Sequence, residues 1–281
     1  MKLYLYLKML RPAQWLKNMM LFFPPFLAGQ MLLPGVVYRG VLPFCSFCLV
    51  SSAGYIFNDL LDRDRDVHHP QKRLRALPAG AVTVSSASML SILLFFSGLM
   101  LAALNSPRFL LLLLGYAFIS LLYSLIFKNM PVVDLFCISA GFLIRLQAGG
   151  ELFQVPISPW LFLSVFLLAV FLSTGKRLSE SRSLGDIAGE HRVSLSHYPQ
   201  GFLEGTMYMT GGAVLVTYAM YTLSKQMLIY SVPLCFFGLL RYMFRVCSGQ
   251  SGDPTESLLK DKLLFAVGVL WLLMVVWSLY S

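Results

Sequence analysis

Nine largely apolar stretches, each about 20 residues long and so long enough to cross a bilayer as a helix, recur at 15–33, 37–58, 84–104, 108–127, 131–150, 158–175, 200–222, 227–246 and 262–280. Such a chain has few folds open to it. In hydrocarbon every backbone N–H and C=O must be satisfied within the protein, so spanning segments are helices or closed barrels, and runs of this length predict helices. Composition closes off the soluble alternative. Of the 281 residues, 57% are hydrophobic and 12% are charged, against about 25% charged in soluble domains, which leaves too little polar surface to coat a soluble globule. The expected fold is all-α: a polytopic membrane bundle of about nine transmembrane helices, forming one domain over residues 1–281. Lys2, Lys8 and Arg11 precede Pro12 and the first apolar run. With no small-residue cleavage site before the next span, that run reads as a retained helix.

Charge placement orients the bundle. Of the 22 Lys and Arg residues, Arg39, Arg108 and Lys225 fall on one side and Arg145 lies inside a span, which leaves eighteen on the side of the N-terminus. Cytoplasmic loops collect Lys and Arg, so the N-terminus and the long loops are expected in the cytoplasm and the C-terminus outside, in a bacterial inner membrane. The net charge of +9 serves this topology and also suits a pocket for phosphate groups. Nucleic-acid binding is disfavoured, because the basic residues sit in short loops between apolar spans. Cys45 and Cys48 have C-x-x-C spacing inside an apolar run. A redox or zinc role needs an electropositive, partly exposed setting or further ligands, so all five cysteines read as packing residues.

Two inner loops, 59–83 and 176–199, are long and hold the densest charge, and long loops in compact proteins usually carry function. The first contains Asn58, Asp59, Asp62 and Asp66. On a helix continuing from the second span, at about 100° per residue, the three aspartates point at about 0°, 300° and 340°, one narrow arc, while Asp64 points away. Carboxylates gathered on one face repel unless a cation lies among them. Hard oxygen donors select Mg²⁺ or Ca²⁺, and Mg²⁺ commonly takes one or two carboxylates plus substrate phosphates. The bland reading is a solvated helix end on which Arg63 and Arg65 pair with the acids. His68, His69, Lys72, Arg73 and Arg75 follow, a run that suits a diphosphate bridged by metal or simply obeys the positive-inside bias. The two histidines read as capping or surface residues.

At these residues the sequence resembles a family. NDLLDRDRD at 58–66 matches the N-D-x-x-D-x-x-x-D signature of UbiA-type membrane prenyltransferases, and the following H-P-x-K-R-x-R run, Gly80 and nine spans fit as well. The likeness is greater to the branch that moves phosphoribosyl groups onto decaprenyl phosphate. RPAQWLKN at 11–18, YSLIFKNMPVVDLFCISAGFLIRLQAGG at 123–150, GKRLSE at 175–180 and SGDPTESLLKDK at 251–262 resemble that branch. Two departures stand out. Aromatic prenyltransferases carry a second D-x-x-x-D motif after span six, where this chain has Lys176, Arg177 and Glu180, then Asp186 and Glu190. Ala76 stands where a proline is expected.

The resemblance implies a UbiA-like fold and a Mg²⁺-dependent transferase. Its donor would be phosphoribosyl diphosphate and its acceptor a polyprenyl phosphate whose tail lies in the membrane. It implies Mg²⁺ on Asn58, Asp59, Asp62 and Asp66, with the three aspartates catalytic. Asn58 also counts among the substrate contacts, and Lys17, Lys72, Arg73, Lys176 and Arg177 would hold phosphate groups. Lys128, Arg145 and Tyr123 are further candidates. Arg145, inside a span, either meets substrate or pairs with Glu151 or a carbonyl. Tyr123 and Tyr198 either donate to phosphate or mark the membrane interface. Asp134 reads as a cap of the fifth span, and Asp186 with Glu190 as a second metal site or a flexible loop. Two other functions compete: a prenyl diphosphate:aromatic acceptor transferase, against which the missing D-x-x-x-D speaks, and a transporter, against which the clustering of charge at one face speaks.

Overall fold

The computed structural model describes residues 2–67, 72–184, 193–225 and 227–281, whose regular elements are all helices, with no strand among these residues. Helices start where a side chain can take up a free N–H. Thr83 Oγ1 accepts from Ser86 N at 3.2 Å, and Ser106 Oγ accepts from Phe109 N at 3.0 Å ahead of Pro107. Asp253 Oδ1 accepts from the N–H groups of Thr255 and Glu256. Seven helices among the described residues are long and apolar enough to cross a membrane: Val36–Leu61, Val84–Ala103, Pro107–Leu125, Val133–Phe153, Pro159–Ser183, Leu228–Cys247 and Lys262–Tyr280. Each lies where a run was expected.

The other two expected runs differ. Residues 200–222 form a helix, Phe202–Thr222, of 21 residues, but its glycines, threonines and tyrosines dilute its hydropathy below that of the seven. The run at 15–33 does not form a spanning α-helix. It is a 3-10 segment, Pro12–Phe22, followed by a five-residue helix, Phe23–Leu27. Pro24 and Pro25 have no N–H to give a helix interior and are tolerated only in its first turn. Gly29 and Gly35 then turn the chain with φ of 72° and 80°.

The chain divides into two compact units, Met1–Lys128 with Ile144–Pro156, and Asn129–Leu143 with Ile157–Ser281. The first holds α1 (Lys2–Met9), α2 (Phe23–Leu27), α3 (Val36–Leu61), α4 (Arg63–Asp66), α5 (Val84–Ala103) and α6 (Pro107–Leu125). Lipid tails are as apolar as leucine, so helices in a membrane associate through close packing and small residues. Gly98 of α5 is such a residue: a Cβ there would lie 2.7 Å from Val50 Cγ2 and 3.0 Å from the Ser46 carbonyl oxygen of α3. Phe47, Phe109 and Leu113 are fully buried, the two rings meeting edge-on at 5.8 Å. The 3-10 segment is fastened to α3 by Trp15 Nε1, which donates to Ser52 Oγ at 3.0 Å.

Helix α7 (Val133–Phe153) gives its start to the second unit and its end, from Ile144, to the first. At that end Gly149 meets the 3-10 segment, and a Cβ would come within 2.2 Å of the Leu21 carbonyl oxygen. Backbone cannot swing aside as a side chain would. Gly149→Ala is therefore expected to destabilise the protein by about 1–3 kcal/mol, the usual cost of overpacking. Thermal melting in detergent checks it, and an unchanged midpoint would mean that this contact is loose.

The second unit holds α8 (Pro159–Leu184), α9 (Val193–Ser196), α10 (Phe202–Thr222), α11 (Val232–Cys247), α12 (Pro254–Lys260) and α13 (Lys262–Tyr280). Helices α8 and α10 pack where Gly211 faces the Phe171 ring, over a core that includes Met207 and Val246. The loop after α11 is pressed onto α8: Tyr242 Oη donates to the Gly252 carbonyl at 2.7 Å, and a Cβ on Gly252 would lie 2.4 Å from the Gly175 carbonyl oxygen.

Asp261 joins α11 to α13. One oxygen accepts from Leu264 N at 3.0 Å, capping α13, and the other receives Arg241 at 2.9 Å and Arg245 at 3.1 Å. Burial alone would raise this carboxyl's pKa, but the Leu264 N–H and the two guanidiniums outweigh it and hold the group well below the usual carboxylate range. The unfolded chain binds the proton more readily than the folded one. The resulting stability is present above about pH 4, the ordinary aspartate value, and is lost as pH falls through the lowered folded value. Asp261→Asn is expected to melt lower at neutral pH and to lose less than wild type on acidification. Melting curves at stepped pH check this, and parallel pH dependences would exclude Asp261 as a source of acid sensitivity.

Candidate functional site

Helix α3 ends at Leu61 because Asp62, at φ −92° and ψ 1°, leaves the helical region, and α4 takes up the chain at Arg63. That break sets where the acids point. Asp59 and Asp66 meet at one guanidinium: Arg75 Nη1 lies 3.0 Å from Asp59 Oδ1 and 2.8 Å from Asp66 Oδ2. Arg11 Nη2 reaches Asp59 Oδ1 at 2.5 Å from the N-terminal side, its guanidinium 5.0 Å from the Tyr55 ring centroid. Asp62 turns instead to Asn58 Nδ2 at 3.0 Å and Lys128 Nζ at 2.5 Å. Asp64 is exposed and pairs with Arg63, on the other side as expected. Asp59 and Asp66 are buried.

The expectation of three carboxylates on one arc is therefore met only by Asp59 and Asp66. Among the described residues no group of three or more His, Cys, Asp or Glu is gathered as a metal site. Each acid faces a cation of the chain. The donors themselves, three carboxylates and the Asn58 amide oxygen, are all hard oxygens of the kind Mg²⁺ and Ca²⁺ take, so the donor set fits such an ion. Two residues here escaped the sequence reading as site members, Arg11 and Arg75. Both stand inside the motifs that carried the resemblance, Arg11 opening RPAQWLKN and Arg75 closing the basic run.

The other candidates of this unit spread more widely. Lys17 is half-buried on the 3-10 segment and Tyr123 half-buried on α6. Arg145 is buried: its Nε donates to Asn18 Oδ1 at 2.7 Å, and its guanidinium stacks 4.3 Å from the Tyr116 ring centroid. Asn18 in turn donates to Ser51 Oγ and Cys48 Sγ. Glu151, one partner considered for Arg145, lies near Arg108 instead, at 3.8 Å. Lys72 opens a 3-10 turn, Lys72–Leu74, and Arg73 is exposed. His68, His69, Asp186 and Glu190 lie outside the described residues.

In the second unit Arg177 is almost fully buried and engages two acids, Asp134 Oδ2 through Nε at 2.8 Å and Glu180 Oε2 through Nη1 at 2.6 Å. Tyr198 Oη donates to Asp134 Oδ1 at 2.9 Å and accepts from Val132 N at 2.7 Å. Burial, and then the neighbouring Asp134 carboxylate, push the Tyr198 hydroxyl above the ordinary phenol range against the Val132 N–H, so it stays a donor. Asp134 thus ties two elements together rather than only capping a helix. Lys176 reaches Asp253 Oδ2 at 3.4 Å and stays partly exposed.

The sequence profile of the UbiA prenyltransferase family matches residues 22–266. The decaprenyl-phosphate phosphoribosyltransferase of Corynebacterium glutamicum is 30% identical over 287 aligned residues, covering 98% of this chain and 86% of that protein. The protein of the same name from Mycolicibacterium smegmatis is 29% identical, covering 95% and 89%. Among solved structures, a UbiA homolog from Archaeoglobus fulgidus bound to GPP and Mg²⁺ aligns with a TM-score of 0.75 at 23% identity over 99% of both chains, a likeness of fold.

Proposed function

Because this chain belongs to the UbiA prenyltransferase family, and so is a membrane-bound transferase, we propose that it moves a 5-phosphoribosyl group from phosphoribosyl diphosphate to a polyprenyl phosphate, releasing diphosphate. The observation that carries this reading is near-full-length similarity to proteins named for that transfer. The charge arrangement supports it. Three carboxylates are interleaved with Arg11, Arg75 and Lys128, as suits a ligand whose many negative charges are shared between a metal and basic side chains.

In this proposal Asn58, Asp59, Asp62 and Asp66 hold Mg²⁺, which supplies charge neutralisation for the departing diphosphate. Arg11, Arg75 and Lys128 position those carboxylates and add positive charge beside them. Lys17, Lys72 and Arg73, and in the second unit Lys176, are the further residues proposed to bind phosphate groups, together with Tyr123 and Arg145. Arg177, held by two acids, serves by fixing the start of α7 against α8 and by its charge. No strong general base is required, since the attacking lipid phosphate is already anionic. By the positive-inside bias the acid loop and the N-terminus face the cytoplasm, where a soluble diphosphate donor is available.

The test is transfer by purified protein given labelled phosphoribosyl diphosphate, Mg²⁺ and polyprenyl phosphates of several chain lengths, in detergent and without any gradient. Labelled lipid is the expected product. Failure with every chain length, together with reaction of a prenyl diphosphate with a phenolic acid, would replace this reading with the aromatic transferase.

A further inference from the structure

On the first unit, away from the acid pair at Arg75, two cavities of about 520 Å³ and about 380 Å³ share Phe57, Ser91 and Ile92 and so form one groove along α3, α5 and α6. Its ends differ in chemistry. One is polar, at Arg63, Asp64 and Ser88. The other is apolar, walled by side chains such as Phe96 and Phe118. Ser91 adds little polarity between them, because its hydroxyl donates to the Ala53 carbonyl at 3.0 Å.

The membrane decides what kind of molecule fills such a groove. Only 22% of the residues of the α5 span and 17% of those of the α6 span are buried within the protein, against 56% for α3, so α5 and α6 leave a flank open to lipid. The apolar end meets hydrocarbon chains. The polar end lies where α3 closes and charge returns, at headgroup depth. There Arg63 Nη2 and Asp64 Oδ1 sit 2.8 Å apart, with 43% and 84% of their side chains exposed, a positive and a negative group side by side and open to a ligand.

We propose that this groove binds one diacyl phospholipid with a zwitterionic ammonium headgroup, of the ethanolamine type. Its phosphate meets Arg63, its ammonium meets Asp64, and one acyl chain runs between α5 and α6. The pairing selects among headgroups. A glycerol headgroup satisfies Arg63 through its phosphate but offers Asp64 only neutral hydroxyls and no positive charge, and charge-assisted hydrogen bonds are the stronger ones. A choline headgroup has the right charges but no N–H to donate to the carboxylate. The site is independent of the transfer reaction proposed above.

Native mass spectrometry of the full-length protein in detergent, offered equal amounts of phosphatidylethanolamine, phosphatidylcholine and phosphatidylglycerol with the same chains, tests this. The ethanolamine lipid is expected to be retained about threefold to fivefold over either competitor, the scale of one exposed charge pair. Asp64→Asn is expected to abolish that preference while lipid still binds. Ile92→Trp, at a position 59% exposed and so of little burden to the core, is expected to fill the groove and remove one bound lipid of every headgroup. Equal retention of all three lipids by wild type, preference for the glycerol lipid, or a preference that survives Asp64→Asn would each overturn the headgroup assignment. Undiminished binding to Ile92→Trp would overturn the location.

Discussion

Asp62→Asn is expected to slow transfer by about 100-fold to 1,000-fold, the loss seen when one group that stabilises developing charge is removed, and to raise the Mg²⁺ concentration needed for half-maximal rate. The substitution keeps the shape of the side chain and removes its charge. It also strips Lys128 of its 2.5 Å partner. With side chains 14% and 20% exposed, that pair is mostly buried, so its loss is expected to cost stability as well, about 1–3 kcal/mol. The change in Mg²⁺ requirement separates the explanations, since a merely structural aspartate would lower the amount of active protein without moving it. Asp64→Asn, two residues on and facing away, is the matched control and is expected to transfer as wild type does. A slow Asp62→Asn enzyme with an unaltered Mg²⁺ requirement would remove Asp62 from the proposed metal ligands.

Asp134→Ala is expected to produce the largest loss of stability, about 3–5 kcal/mol, because it leaves the buried Arg177 guanidinium with one of its two acids gone. Asp134 has no exposed surface and Arg177 has 2%, so water cannot replace the lost carboxylate without opening the structure. The same removal deprives Tyr198 of its acceptor. Replacing both charges at once, Asp134→Leu with Arg177→Met, is expected to recover most of the stability, as apolar replacements of buried ion pairs commonly do. Melting of the two single variants and the double variant in detergent gives the coupling. A double variant no more stable than Asp134→Ala would show that Arg177 has other essential partners. A stable double variant that no longer transfers would assign Arg177 a part in the reaction beyond holding α7 and α8.

Much of the fold was legible in the sequence, because an apolar run bounded by Ser, Thr, Asp or Pro leaves a span little choice. Thr83, Ser106 and Asp261 start helices within a residue or two of the expected positions. The run at 15–33 was apolar enough but misread, since hydropathy is blind to the missing N–H groups of Pro24 and Pro25. The acid loop was legible as a motif and not as a geometry. Helical angles assume an unbroken helix, and the turn at Asp62 sends that residue to Lys128 while Asp59 and Asp66 converge on Arg75. Arg11 lies 48 residues from Asp59, and Asp134 lies 43 from Arg177. No local pattern announces pairings at that distance, which is why Arg177 reads from sequence as a phosphate ligand and in the folded chain as half of a buried pair.

The single carboxylate of Asp261 receives two arginines one helical turn apart on α11 and caps α13 with its other oxygen. This makes the joined ends of the two helices share one depth marker. Long basic side chains at a membrane surface usually adjust their height separately, each reaching for water. Here neither arginine can do so without releasing the other helix. When the bilayer thickens or thins, these helices must tilt together about that fixed point rather than slide past one another.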